Sequence, residues 1–329
     1  MRRVLSFALL GLGVFAVAAG LFLRLYAYPA LAKVPHNPDT TAVAQGSGIT
    51  ALVYVSHDGG AGEPEIRHNL DLTSVTYVSG DMQAPEVKAN GNVTSWIEAT
   101  EVKDDKDKLT LSGSMREVCM DRFTGEAVAP CTNQYLETTR GQKVPGATGQ
   151  PQFPGLNFKF PFETEKKTYP WYDSTLGKTV DAKFQGEDEI QGVPVYRFGQ
   201  TVPATSISTQ AVPGSLIGKT DATVQAGLYY QVERTLWIEP ATGALVNLKQ
   251  SMKQELRAPG DSTGTAVFDG TLQLNQKTVD ANVKTVQDNK SKLWLLTGLP
   301  VILWIVGGVL TVAGVVLVAA LARRRAATA

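Results

Sequence analysis

The sequence predicts a mainly β ectodomain, elongated and barrel- or sandwich-like, flanked by N- and C-terminal transmembrane α-helices. Three observations predict it. Uncharged apolar runs occupy both ends, Val4 to Leu23 and Leu293 to Ala322. Nothing of comparable length lies between Lys33 and Lys292. Through that middle region, short stretches alternate apolar and polar residues, the period-two signature of half-buried strands.

A helix rises 1.5 Å per residue against a hydrocarbon core of roughly 30 Å, so each terminal run is long enough to span a bilayer. Residues 1–28 read as a cytoplasmic tip and first transmembrane helix, with Arg24, Tyr26 and Tyr28 at its outer boundary. The competing reading is a cleaved signal peptide ending near Ala30-Leu31-Ala32; the apolar run exceeds the usual 7–15 residues, which favours an uncleaved anchor. Residues 29–48, with Pro29, Pro35 and Pro38, read as a stalk. The β-rich domain follows over 49–282. Its strands include the stretches around Val75 to Val78, Tyr230 to Ile238, Leu245 to Leu248 and Val267 to Leu274. Turns are expected at Asn90-Gly91, Thr124-Gly125, Glu187-Asp188, Pro240 to Gly243 and Asp269-Gly270. The Thr-Gly turn at Gly243 echoes the one at Gly125. Residues 283–322 read as a helix leading into the second span, whose embedded part starts near Pro300, and 323–329 as a basic cytoplasmic tail.

Arginines precede the first span and close the second, so the positive-inside rule places both termini in the cytoplasm and the domain outside the cell membrane. Gly11, Gly13, Ala16 and Gly20 in one span, and Gly307, Gly308 and Gly314 in the other, allow close helix contact; ordinary membrane-helix composition explains them equally well. Neither span contains an ionisable residue, which leaves a proton or ion path through the helices unsupported.

The chain carries 31 basic and 31 acidic residues. Six arginines belong to the apolar ends, leaving 25 basic against 31 acidic in the remainder. A mildly acidic domain excludes nucleic acid as a partner, since that binding relies on basic surface. Cys119 and Cys131 flank a turn-like segment and read as a local disulfide in an oxidising compartment, with two buried thiols as the alternative.

No catalytic signature emerges. His36, His57 and His68 match no metal-ligand or nucleophile–base spacing, and His57-Asp58 reads as a chance neighbour pair. Gly59-Gly60-Ala61-Gly62 has acidic flanks that would repel a phosphate. Glu187-Asp188-Glu189 has the residue types of a glycosidase or Ca²⁺ site, but a solvated turn accounts for it. No cofactor and no metal site is expected. The unusual stretch is Phe153 to Asp173, aromatic residues interleaved with prolines. Phe158, Phe160 and Phe162 alternate and read as the inward face of one strand. Tyr169, Trp171 and Tyr172, with Tyr196 and Phe198, complete a candidate groove for an apolar or sugar ligand.

Taken in order, the basic-tipped first span, Lys159-Phe160-Pro161-Phe162, Lys166 to Asp173, Gly192 to Phe198, the Trp237 to Gly243 hairpin and the basic-tailed second span resemble one family. It is the actinobacterial membrane family often labelled the porin PorA family, which includes LmcA-type proteins implicated in lipomannan and lipoarabinomannan assembly. The resemblance implies a periplasmic, elongated β-barrel-like domain with apolar cavities and a role in lipoglycan biosynthesis through lipid binding. It supplies no catalytic residues. The pore that the label suggests would need a closed barrel with a lipid-facing apolar band, whereas this chain has two apolar helices and soluble-type strands. The expected function is therefore that of a non-enzymatic accessory protein whose partner is a membrane lipid or lipid-linked glycan. A scaffold for a membrane glycosyltransferase is the alternative, and an envelope hydrolase using Glu187 or Asp188 ranks below both.

Overall fold

A computed structural model describes residues 2–55, 62–146 and 149–326. They divide into two units, residues 34–286 and the two chain ends.

In the unit formed by the chain ends, α1 (Arg2–Phe22) runs through one π-helical turn, Leu23–Ala27, into α2 (Tyr28–Leu31). The other helix, α4, covers Gln276–Ala326, of which the part after Val286 belongs here. Both helices are long and apolar enough to cross a membrane. Pro300 lies inside the second helix. The helices touch through glycines seven positions apart. A Cβ on Gly13 would collide with Thr311, one on Gly307 would stand 2.8 Å from the Gly13 carbonyl, and one on Gly314 would stand 2.8 Å from the Leu10 nitrogen. A Cβ on Gly20 would stand 2.6 Å from the Trp304 indole nitrogen. Backbones approach this closely only where small residues face each other. Gly11 and Gly308 take no part, and a Cβ on either meets nothing within 4 Å.

The other unit is built on one twelve-stranded antiparallel sheet. β1 (Asp39–Val55) and β2 (Glu63–Gly80) lead through a short helix, α3 (Pro85–Ala89), to β3 (Val93–Asp104) and β4 (Thr110–Asp121), followed by β5 (Tyr135–Thr139) and β6 (Gln142–Pro145). The second half holds β7 (Tyr169–Asp173), β8 (Lys178–Ile190), β9 (Val193–Pro213), β10 (Thr223–Glu239), β11 (Ala244–Arg257) and β12 (Thr265–Leu274). The order is β6-β5-β4-β3-β2-β1-β12-β11-β10-β9-β8-β7. This is an up-and-down meander in which the first and last strands pair, and the ladder is open between β6 and β7. Isolated bridges span that gap at one end, running from Met120 to Ala127, from Glu126 to Leu156 and from Leu156 to Trp171. The barrel expected from sequence is thus an opened one. Antiparallel pairing of Ala44 with Leu274 sends both ends of the domain out at the same end of the central strand pair.

Three readings of the sequence are corrected here. Residues 39–48, within the expected stalk, form the start of β1 and pair with β2 from Asp39↔Ser79 onward. The signal was weak because Val43 is the one large apolar residue in this stretch; Ala42 and Ala44 pack beside Val193, Val246 and Val279. Glu187-Asp188 and Asp269-Gly270 lie within β8 and β12 and are not turns. Long strands carry such residues on a solvated face at little cost. The helix leading toward the second span starts at Gln276, seven residues before the expected boundary at 283. Asn275 caps it, its side-chain oxygen accepting from the Thr278 N–H at 2.9 Å, and Val279, Val283 and Val286 bury its apolar stripe.

Candidate functional site

The aromatic stretch is the connection between β6 and β7, and it crosses the open side of the sheet as a strap with no regular strand among its described residues, 146 and 149 to 168. Prolines at 151, 154 and 161 lack the N–H that a ladder needs. Phe158, Phe160 and Phe162 therefore do not share one strand face, and each ring has its own destination. Phe160 is fully buried among Tyr169, Trp171, Phe198, Leu236 and Ile238, with ring centroids 4.7 Å from Phe198 and 5.1 Å from Tyr169. Phe158 lies against Trp96 at 5.3 Å, and Phe162 stacks on Phe123 at 5.6 Å. Tyr172 meets Phe153 edge-on, and half-buried Tyr196 meets Phe184 edge-on. Of the eight aromatics expected at a groove, Phe160, Tyr169, Trp171, Tyr172 and Phe198 are buried in the core, and Phe158, Phe162 and Tyr196 are half-buried.

Two matching turns hold the strap. At the end of β4, the Asp121 carboxylate accepts from the N–H groups of Phe123 and Thr124; at the end of β10, the Glu239 carboxylate accepts from Thr242 N–H at 2.8 Å and Thr242 Oγ1 at 2.7 Å. Each turn ends on a glycine with positive φ, Gly125 at 78° and Gly243 at 69°. The Gly243 carbonyl accepts from Phe160 N–H at 2.8 Å, and a Cβ there would collide with the Phe160 carbonyl. Beside Gly125 runs Lys159, whose ammonium donates to the Phe123 carbonyl at 3.0 Å and lies 3.8 Å from the Phe162 ring centre. Burial pulls the Lys159 ammonium down to about 7, with Asp121 opposing the shift. The echo between the two turns, visible in sequence, is thus a pair of clasps on one strap.

Arg116 is buried and Arg234 nearly so, and sequence reading overlooked both. Arg116 donates to Glu98 at 2.8 Å and to Asn157 at 2.8 Å, with the rings of Phe153, Phe158 and Tyr172 around its guanidinium. Arg234 donates to fully buried Asp173 at 3.0 Å and to Gln200; Tyr230 donates to the same carboxylate at 2.9 Å. Both arginines sit five residues before a clasp carboxylate, a spacing that could have revealed them.

Cys119 and Cys131 form a disulfide, with both residues buried. On the same face of β4, the Glu117 carboxylate accepts from Ser95 Oγ at 2.7 Å. Burial pushes this carboxyl up to about 7; Ser95 opposes the shift and Asp81 adds to it. The acidic run expected at a turn is engaged along β8, with Glu187 paired to Lys166 and Asp188 accepting from the Trp237 indole at 3.1 Å. His57, Asp58 and the glycines at 59 and 60 lie outside the described residues. Among the described residues, no group of three or more His, Cys, Asp or Glu is placed to hold a metal ion.

The candidate site is a half-open hollow of about 640 Å³ across β2, β3, β4 and β5. Gly113 and Ala99 leave the space, while Val75, Tyr77 and Met115 supply apolar surface. None of the eight aromatics proposed from sequence lines it. Few large apolar side chains are exposed in the β unit, and Val75 and Tyr77 are two of them.

A family model described as Porin PorA matches residues 5–316. The chain belongs to the Porin PorA family. Two relatives are each named Porin PorA. The protein from Corynebacterium amycolatum is 24% identical over 304 residues, covering 77% of this chain and 78% of its own. The one from Corynebacterium resistens (strain DSM 45100 / JCM 12819 / GTC 2026 / SICGH 158) is 22% identical over 323 residues, covering 77% of each. The Porin PorA match includes both apolar helices and the β domain, consistent with a membrane protein of the cell envelope.

Proposed function

We propose that this chain is a membrane-anchored, extracytoplasmic accessory protein, without catalytic activity of its own, that binds a lipid or lipid-linked precursor during assembly of cell-envelope lipoglycan. One observation carries the reading. The large apolar side chains left exposed are concentrated on the two terminal helices, and the β unit adds only a few, two of them in the hollow on β2 to β5. A chain arranged this way inserts by its helices and keeps its sheet in water. The arginines at both tails favour cytoplasmic termini and an exported domain, where the disulfide is chemically at home.

The relatives' name suggests a pore. A strand-built pore needs a closed barrel with an apolar outer band, whereas this ladder is open between β6 and β7 and the Phe160 layer fills its interior. The second reading, a scaffold for a membrane glycosyltransferase, draws on Gly11 and Gly308, small residues that the internal helix contact leaves unused.

The deciding experiment purifies the full chain in native membrane lipid, identifies co-purifying lipids by mass spectrometry, and records conductance in planar bilayers. A stoichiometric glycolipid with no conductance is expected. Stepwise ion currents would overturn the accessory reading in favour of a pore, and a lipid-free, non-conducting protein would favour the scaffold.

A further inference from the structure

We propose that the hollow on β2 to β5 grips the sugar portion of a lipid-linked glycan. The inference rests on the accessory reading and names the site and the ligand chemistry for it.

Four features point to a hydroxyl-rich ligand. First, the hollow is half open, so an acyl chain laid in it would stay wet and lose most of the roughly 0.8 kcal/mol per CH₂ that full burial provides. A sugar loses little by keeping one side in water. Second, the apolar surface suits the C–H face of a pyranose. The Tyr77 ring is 42% exposed, and Val75 and Met115 line the same hollow. Asp39 stands beside the Tyr77 hydroxyl and disfavours its ionisation, which keeps that hydroxyl a donor. Third, hydroxyl partners line the hollow: the Glu101 and Glu137 carboxylates accept, and Thr110 and Thr138 do either. Glu101 is already fixed by Lys103 at 2.7 Å and by the Thr110 hydroxyl at 3.0 Å. Glu137 is fixed by the Gly141 N–H at 2.7 Å, so both acceptors are positioned before a ligand arrives. Fourth, Arg140 lines the hollow and makes no ion pair among the described residues, which leaves a cation for an acidic substituent such as a phosphate on the glycan.

The register explains why the space exists. Glu101 stands opposite Gly113, and Ala99 opposite Met115, so the two smallest side chains lie diagonally across the β3–β4 ladder. A Cβ on Gly113 would find only the Thr100 carbonyl, at 3.8 Å. A larger side chain at 113 would fill the hollow without disturbing the fold, and a β-branched one suits a strand.

The test uses the full chain in lipid nanodiscs and a soluble mannooligosaccharide as the probe, read by calorimetry and saturation-transfer NMR. Saturable binding is expected, with proton contacts from the Tyr77 ring. Gly113→Val and Tyr77→Ala should each weaken it at least tenfold, with far-ultraviolet circular dichroism unchanged. Binding that survives Gly113→Val overturns this site. A glycolipid that co-purifies while the soluble probe does not bind overturns the sugar-grip inference and leaves the accessory reading standing. If neither lipid nor probe binds, both readings fall.

Discussion

The two halves of the sheet solve the same problems with different chemistry. Arg116 on β4 and Arg234 on β10 occupy matching places, each followed at the same interval by a carboxylate, a threonine and a glycine that close a clasp. In the second half, the arginine is neutralised by Asp173, which is wholly buried and also serves Tyr230. In the first half, Glu98 is partly exposed, and three aromatic rings with Asn157 share the cation. After the clasp, the second half returns along the whole of β11, whereas the first half makes a single bridge at Ala127 and is then tied to β4 by the disulfide. A covalent bond thus holds where a ladder is missing. The asymmetry frees residues 122–134 from the sheet, so that they can meet the strap from the side opposite β10.

The largest effect should come from breaking the buried pair. Asp173→Ala leaves Arg234 and Tyr230 without their carboxylate, and about 3–5 kcal/mol should be lost, read by urea unfolding of the detergent-solubilised chain. Glu98→Ala should cost less, about 1–2 kcal/mol, because the aromatic cage and Asn157 remain. Equal losses would remove the distinction between the halves. Next comes the covalent tie: replacing Cys119 and Cys131 together by Ser should cost about 3 kcal/mol, the value for a loop of this size. A loss under about 1 kcal/mol would mean that the Ala127 bridge suffices on its own.

The clasps give a smaller contrast. Gly243→Ala should cost about 2 kcal/mol, since it combines a left-handed backbone with a collision against the Phe160 carbonyl. Gly125→Ala should cost less, about 1 kcal/mol, because its nearest neighbours, Lys159 Cγ at 2.9 Å and the Lys159 carbonyl at 3.0 Å, stand farther off than the Phe160 carbonyl does from Gly243. The reverse order would show that the β4 clasp bears more of the strap. The last contrast is in pH. Glu117 holds its proton more tightly when folded, so its contribution to stability should fall as pH rises from about 4.5 to about 7. Lys159 holds its proton less tightly when folded, so its contribution should rise from about 7 to about 10.5. Melting temperatures across this range should show Glu117→Gln removing the acid-side slope and Lys159→Met the alkaline one. No change in either slope would mean that both groups are well solvated.

Much of this fold was legible because its signals are local. The apolar ends declare themselves by length, β10 by the alternation of Tyr230, Val232, Leu236 and Ile238, and the cysteine pair by its isolation. The strap was misread because alternation in Phe158, Phe160 and Phe162 imitates a strand, and only the prolines argued otherwise. The hollow was invisible for the opposite reason. Its defining residues, Ala99 and Gly113, are small, and smallness matters only where neighbouring strands place two such residues diagonally across one ladder.

Sequence by itself determined what must avoid water, what must stay in it, and the turns at Gly91, Gly125 and Gly243, because hydrophobic length, period and glycine geometry act over a few residues. The tertiary structure decided which glycines of the spans touch, that the first and last strands pair, that the aromatic stretch becomes core, and where a hollow remains. Each of these depends on surfaces brought together from distant parts of the chain, and no local pattern specifies which surface will arrive.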